Sequence, residues 1–157
     1  KTLYDVGPPE TRRVRVEQIY SDYRKGDRAQ LDLLQYLTLK DMKVVDLDTA
    51  KELAPVRDGS ATFVKLDVPI VDEKQSAHLK ITGTLEDGTL KVTGNDLVFE
   101  RMVRGLRNTV LLPAGWEVAG VSQSATIGVS QGRAFVALIN LNAENSYRVT
   151  IRARRRS

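Results

Sequence analysis

His78 is the only histidine of the chain, and imidazole is the side chain best suited to move protons near neutral pH. It lies in the segment 77–82, where apolar and polar residues alternate as they do in a half-buried strand. Leu79 and Ile81 would share the buried face, so His78 would point to the solvated one. A Ser-His-Asp triad that uses Asp67 or Asp72 is an alternative, but we expect an exposed or edge histidine without a catalytic role.

The sequence lacks the residues that most often bind metals and cofactors. The chain has no cysteine, which excludes disulfides, thiolate metal sites and cysteine nucleophiles together. With a single histidine, a transition-metal site would need several carboxylates, which is uncommon. Neither a Walker A loop nor a G-x-G-x-x-G sequence occurs. We therefore expect no catalytic, cofactor-binding or metal-binding residues.

Pairs of neighbouring carboxylates are the remaining candidates for hydrolytic chemistry, because two acids can share the acid and nucleophile roles of a glycosidase. All of them lie in or beside expected turns, where acidic residues are common as local hydrogen-bond acceptors. A hydrolase that uses these carboxylates is therefore an alternative rather than the main expectation. The pairs are Asp46 with Asp48, Asp72 with Glu73, and Glu86 with Asp87.

Arginine is the residue type whose placement says most about binding. The chain carries 24 basic against 20 acidic residues, and two short basic runs lie near its ends. In the expected first and last strands, alternation places these arginines on one face of each strand. Such faces suit acidic proteins, anionic lipid headgroups or phosphates, and a purely solvated face is the alternative. Stacking aromatics between the arginines are absent, which disfavours nucleic acid. The arginines are Arg13, Arg15, Arg148, Arg152 and Arg154.

Proline, tryptophan and tyrosine residues provide further candidate contacts. Consecutive prolines favour extended backbone, so the Gly-Pro-Pro sequence at 7–9 predicts a strap that contacts a neighbour. Four aromatic residues could form a platform for stacking sugars, which makes a carbohydrate-binding module a second alternative. Pro8, Pro9 and Trp116 join the arginines as candidate interface residues. The aromatic residues are Tyr20, Tyr23, Tyr36 and Trp116.

The segment 120–137 is poor in charge and rich in Ser, Ala and Val. This composition fits either buried strands or a surface that a partner covers. Both interpretations remain open from the sequence.

The elements that would carry these residues are strands. Hydrophobic residues make up 41% and charged residues 28% of the 157 residues, a mix typical of a globular domain. Asp-Gly at 58–59 and 87–88, and Gln-Gly at 131–132, separate alternating segments at intervals of about 8–12 residues, as in β-sandwiches. The segment 31–39 is ambiguous between strand and helix, and we interpret it as a strand.

We predict an all-β, immunoglobulin-like antiparallel β-sandwich, either single or as two packed sandwich halves. Residues 1–12 would form the extended N-terminal strap, and residues 13–157 would form the sandwich. A sub-boundary is expected near residues 104–108.

Two segments, 107–118 (RNTVLLPAGWEV) and 3–11 (LYDVGPPET), resemble the extracytoplasmic β-sandwich regions of uncharacterised bacterial proteins of acidobacteria and gemmatimonads. The segment 64–84 is similar to immunoglobulin-like edges of larger secreted proteins. The shared motifs are turn and packing motifs, so they concern the fold and carry no catalytic residue. The resemblance implies a periplasmic or extracellular location and a non-enzymatic role. Membrane association would come through partners or through an anchor outside this sequence.

From these observations we expect a structural or protein-interaction domain, an accessory subunit of a larger bacterial envelope or membrane-bound complex. Its partners would be other protein subunits. An anionic lipid surface and a carbohydrate are the alternative partners, and nucleic acid is disfavoured.

Overall fold

The computed structural model of the chain describes residues 1–31, 39–86 and 88–157. Strands dominate this part, so the all-β class expected from the sequence is confirmed, and the short 3-10 helix η1 spans Pro9–Thr11. No helix in these residues is long and apolar enough to cross a membrane. The strands are β1 (Thr2–Val6), β2 (Val14–Asp22), β3 (Gly26–Leu31), β4 (Leu39–Asp46), β5 (Lys51–Leu53), β6 (Pro55–Asp58), β7 (Ala61–Ile70), β8 (Ala77–Leu85), β9 (Leu90–Thr93), β10 (Asp96–Val103), β11 (Arg107–Leu111), β12 (Trp116–Val121), β13 (Thr126–Ser130), β14 (Arg133–Ile139) and β15 (Tyr147–Arg155).

The chain folds into two compact units. The first unit comprises residues 1–16 and 85–157, and the second unit comprises residues 17–84. The N-terminal segment belongs to the first unit because β1 pairs in parallel with β11, with Thr2 opposite Asn108 and Asp5 opposite Leu111. The structure thus divides the chain into units between residues 16 and 17 and between residues 84 and 85. The sequence instead predicts a strap over 1–12 and a sandwich over 13–157.

The first unit is a sandwich of two sheets. One has the strand order β13-β14-β11-β1-β2, where only residues 14–16 of β2 belong to this unit, and the other has the order β12-β15-β10-β9. Side chains alternate between core and solvent, as in β15, where Val149 is buried and Arg152 is exposed. The buried ring of Tyr4 on β1 meets that of Phe99 on β10 edge-on, with centroids 5.6 Å apart. This contact joins the two layers across an apolar core.

The second unit contains the strand orders β8-β4-β5 and β3-β7-β6. Strands β8 and β4 approach closely at Gly83, where an added Cβ would lie 3.0 Å from Cβ of Leu39 and 3.1 Å from the carbonyl oxygen of Lys40. A larger residue would push the strands apart, so this contact requires glycine. The buried core of the unit consists of Ala29, Leu31, Val44, Leu53, Val64, Leu66, Ile70, Ala77, Leu79 and Ile81.

The Gln-Gly pair at 131–132 closes the hairpin between β13 and β14, which confirms that turn prediction. Gln131 and Gly132 have φ values of +51° and +75°, as both central residues of a type I′ turn require. The tight turn sets Ser130 opposite Arg133 and fixes the register of both strands. Residues 32–38 of the predicted strand 31–39, and Asp87 of the predicted turn at 87–88, lie outside the described residues.

Candidate interaction surfaces

The arginine face of the first unit is the outer side of β15, formed by Arg148, Arg152 and Arg154. All three side chains are exposed, and the alternating apolar residues of the strand face the core. Nη1 of Arg148 lies 3.0 Å from Oε1 of Glu100, and Nε of Arg154 lies 3.6 Å from Oδ1 of Asp96. Both acids belong to the neighbouring strand β10, so they offset part of the positive charge. Ion pairs this exposed contribute only about 0–1 kcal/mol each.

Arg152 differs from the other two arginines of this face. Its cross-strand neighbours are Val98 on β10 and Gly120 on β12, neither of which carries charge. Among the described residues, no acidic side chain forms an ion pair with it. Lys91 on β9 lies opposite Val98 and adds a second cation to the same row. The centre of the face therefore presents an available guanidinium beside an apolar side chain.

Arg13 and Arg15 lie at the start of β2, and both are exposed. Nε of Arg13 lies 2.8 Å from Oε1 of Glu86, whereas Arg15 has no ion-pair partner in the described part of the chain. Strand β2 belongs to the sheet of β1, and β15 belongs to the other sheet of the first unit. A single basic ladder of paired strands, which the sequence suggests, is therefore not formed.

Pro8 and Pro9 lie in the tight turn between β1 and β2. The backbone N–H groups of Thr11 and Arg12 donate to the carbonyls of Pro8 and Pro9 at 3.0 and 3.2 Å, which closes η1. Proline suits the first position of a helical turn because its missing N–H would have no partner there. Pro8 is exposed and Pro9 is buried. The backbone thus turns after Val6, where the sequence predicts continued extension.

Trp116 is only 2% exposed, so its ring belongs to the packing of the first unit. Arg155 is its cross-strand partner, and the guanidinium carbon lies 5.4 Å from the ring centroid, a cation–π contact. A platform for stacking sugars needs an exposed ring face, which Trp116 does not offer. Tyr23 is exposed and Tyr20 is half-buried, while Tyr36 lies outside the described residues.

Two of the candidate carboxylates, Asp46 and Asp72, accept hydrogen bonds from the backbone of their own turns. The buried Asp46 accepts hydrogen bonds from the backbone N–H groups of Asp48 and Thr49 at 2.8 and 3.2 Å, which closes the turn between β4 and β5. Asp72 accepts one from the backbone N–H of Lys74 at 2.7 Å. Across the described ranges, no group of three His, Asp or Glu residues is arranged to hold a metal ion.

His78 lies between a hydroxyl and a carboxylate, in the order of a catalytic triad. Its Nδ1 lies 3.0 Å from Oδ2 of Asp48, and its Nε2 lies 3.4 Å from Oγ of Ser76. The acid is Asp48, whereas the sequence suggests Asp67 or Asp72. Sequence spacing could not reveal this contact because the turn after β4 brings Asp48 to the start of β8, 30 residues away.

The contacts around His78 are those of a structural cluster. Its backbone N–H donates to Oδ2 of Asp48 at 3.1 Å, and its carbonyl accepts from the N–H of Leu47 at 2.8 Å. Hydrogen bonding from the imidazole, and then from the backbone, lowers the pKa of Asp48 against the opposing effect of burial. The side chains of His78 and Asp48 are 43% and 51% exposed, so both groups are in contact with water. The cluster ties the turn after β4 to β8.

A G-x-S-x-G sequence at 128–132 matches the nucleophile motif of α/β-hydrolases, with Ser130 at its centre. In those enzymes the serine lies on a sharp turn from a strand into a helix. Here the motif spans the end of β13 and the hairpin turn into β14. The strand-to-helix context that exposes a nucleophile is therefore replaced by a β-hairpin.

Strand β13 forms an open edge of the first unit. In the described residues it pairs only with β14, so its other side presents unpaired backbone groups. Ile127 and Val129 lie opposite the buried residues Val136 and Ala134, which places them on the core-facing side of the sheet. They are nevertheless 55% and 61% exposed, because the sheet ends there. The β13 edge, residues 126–130, is thus both apolar and open.

No charged residue occurs from position 118 to position 132. Proteins usually protect an edge strand with charge, proline or a bulge, and β13 has none of these. The low charge of segment 120–137 therefore reflects two environments. Strand β14 faces the core with alternate residues, whereas β13 is exposed.

No family model matches the chain, and a search of curated proteins finds no significant match. The likeness to extracytoplasmic β-sandwich regions stays a prediction from the sequence. The surfaces of the two units are therefore the basis for inferring function.

Proposed function

We propose that this chain is a non-enzymatic protein-interaction domain, an accessory subunit of a larger bacterial envelope or membrane-bound complex. The observation that carries the proposal is the open, uncharged β13 edge. An extended segment of a partner can add to such an edge through main-chain hydrogen bonds, and its side chains then supply specificity. An immunoglobulin-like arrangement of the first unit and a periplasmic or extracellular location belong to the same proposal, supported by its two sheets and by the sequence resemblance.

The free energy gained when a partner covers this edge is larger than that of the exposed ion pairs of the arginine face. Each main-chain hydrogen bond that replaces bonds to water contributes about 0.5–1.5 kcal/mol. Ile127 and Val129 retain more than half of their exposure, so covering each contributes about 1–2 kcal/mol. Several such terms together exceed the modest contribution of the exposed ion pairs on the arginine face.

Affinity purification from native membranes tests the proposal. The chain is compared with Ile127→Lys and Val129→Lys variants, which place a charge on the edge without removing a buried group. Val68→Lys is the matched control, because Val68 is 60% exposed on the central strand β7 of the second unit. We expect the edge variants to lose co-purifying envelope proteins and the control to retain them. Recovery of no envelope protein by the wild type would refute the proposal, and equal recovery by all variants, with unchanged circular dichroism, would exclude the β13 edge as the contact surface.

The arginine face is a second candidate contact surface, favoured by Arg152. Its guanidinium has no acidic partner among the described residues, and Val98 beside it offers an apolar contact. A carboxylate of an acidic protein segment would complete this site with charge-assisted hydrogen bonds.

A further inference from the structure

We propose that the β13 edge pairs with the same edge of a second copy of this chain, so that two first units share one continuous sheet about a two-fold axis. The inference rests on the proposed function, since it names the partner of the same surface. It commits to an antiparallel register in which Gly128 lies opposite Gly128 of the second copy.

The sequence of β13 is complementary to itself in this register. A two-fold interface uses one patch twice, so each residue must suit the residue that the symmetry places opposite it. The strand reads Thr-Ile-Gly-Val-Ser, which sets Ile127 opposite Val129 of the second copy and Thr126 opposite Ser130. Apolar residues thus meet apolar residues on the core-facing side, and hydroxyl residues meet on the other side.

Charge favours self-pairing at this edge over other surfaces of the chain. Two copies with a net charge of +4 each repel one another, and contact is least costly where no charge is present. The segment 118–132 has no charged residue, so the proposed register opposes no like charges. The next longest uncharged runs, 134–143 and 108–116, are both shorter than this one.

In the proposed dimer, the ring of Phe135 would contact the Phe135 ring of the second copy. A Cβ built on Gly128 would lie 2.5 Å from Cζ and 2.8 Å from Cε1 of Phe135, so the ring covers Gly128 and extends toward the open edge. Adjacent strands lie about 4.8 Å apart, so the two rings would meet over the paired glycines at about 5 Å. That separation is within the range of aromatic pairs.

Sedimentation equilibrium tests the assembly. We expect the chain and the Val68→Lys control to dimerise between about 1 μM and about 1 mM, and the double variant Ile127→Lys, Val129→Lys to stay monomeric. Two lysines per copy would bring like charges together across the axis. A monomeric wild type throughout this range overturns the inference, as does a double variant that dimerises as well as the wild type.

Introduced cysteines test the register, because the chain has none of its own. The double variants Thr126→Cys, Ser130→Cys and Ile127→Cys, Val129→Cys each place thiols directly opposite one another. One of the two pairs occupies the closer, non-hydrogen-bonded position and should form interchain disulfides on mild oxidation. Thr126→Cys alone separates the two thiols by about 13 Å and should form none. Equal cross-linking of the single and double variants overturns the proposed register.

The two proposals can fail separately. A dimeric wild type that recovers no envelope proteins would remove the accessory-subunit function and leave self-pairing in place. A monomeric wild type whose edge variants lose envelope proteins would remove self-pairing and leave the proposed function.

Discussion

The pair of Asp22 and Arg24 in the second unit allows a quantitative prediction. Asp22 is buried, and its carboxylate accepts hydrogen bonds from Nε and Nη2 of Arg24 at 3.0 and 2.6 Å and from the Arg24 backbone at 2.9 Å. Asp22→Asn keeps one acceptor oxygen but turns an amide donor toward the guanidinium. Hydrogen bonds to charged groups contribute about 1.5–3 kcal/mol, so we expect a loss of about 2–3 kcal/mol.

Removing the other partner should cost more. In the Asp22→Asn variant, the half-exposed guanidinium of Arg24 can still be hydrated. In an Arg24→Ala variant, the buried carboxylate loses its cation, and an unpaired buried charge costs about 3–5 kcal/mol. The free energy of unfolding should therefore fall further in Arg24→Ala than in Asp22→Asn.

The pH dependence of the Asp22→Asn effect follows from the pKa of Asp22. Burial alone would raise this pKa, but hydrogen bonds from the side chain and backbone of Arg24, with its positive charge, outweigh burial and lower it. The unfolded chain then binds more protons than the folded chain below about pH 4, so the stability from this group is lost as pH falls through the folded pKa. The difference between wild type and variant should be constant near neutral pH and shrink in acid.

Hydrogen exchange of second-unit amides in urea is the suitable assay, because the single tryptophan, Trp116, lies in the first unit and reports that unit. Arg28→Ala is the control, since its guanidinium lies 3.6 Å from Asp58 and both side chains are well exposed. We expect this control to change stability by less than about 1 kcal/mol. An Asp22→Asn effect no larger than that of the control, or one independent of pH in acid, would show that the buried pair does not stabilise the unit.

Three further substitutions separate core from surface roles. Trp116→Ala should destabilise the first unit by about 3–5 kcal/mol, because the ring is buried. A denaturant titration followed by circular dichroism measures this loss, and a smaller loss would mean that the ring is not part of the core. His78→Ala should lower the free energy of unfolding by no more than about 1 kcal/mol. It should also raise the pKa of Asp48, since the imidazole lowers that pKa, and an NMR titration in which Asp48 is unchanged contradicts the contact. Arg152→Glu should leave the melting temperature unchanged and weaken binding to an acidic peptide, measured by calorimetry; unaltered binding removes the arginine face as a contact surface.

Local patterns could be predicted because they depend on nearest neighbours in the chain. Side chains of a strand alternate between two faces, so the outward position of Arg152 beside the inward Val149 follows from spacing alone. Glycine favours turns, so the Gln-Gly pair at 131–132 predicts the position of the hairpin turn, whereas the positive φ of both residues, which makes it type I′, is seen only in the structure. The all-β class results from many such local signals.

Only the tertiary structure decided which side chains are available for contact. Trp116 is covered by Arg155, and Ile127 is exposed although it is apolar and faces the core side of its sheet, because the sheet ends at β13. The contact of His78 with Asp48 joins residues 30 positions apart. The sequence by itself determined the strands and the two faces of each strand. Burial depends on which residues folding brings alongside, so the order of strands in the sheets determined the open edge.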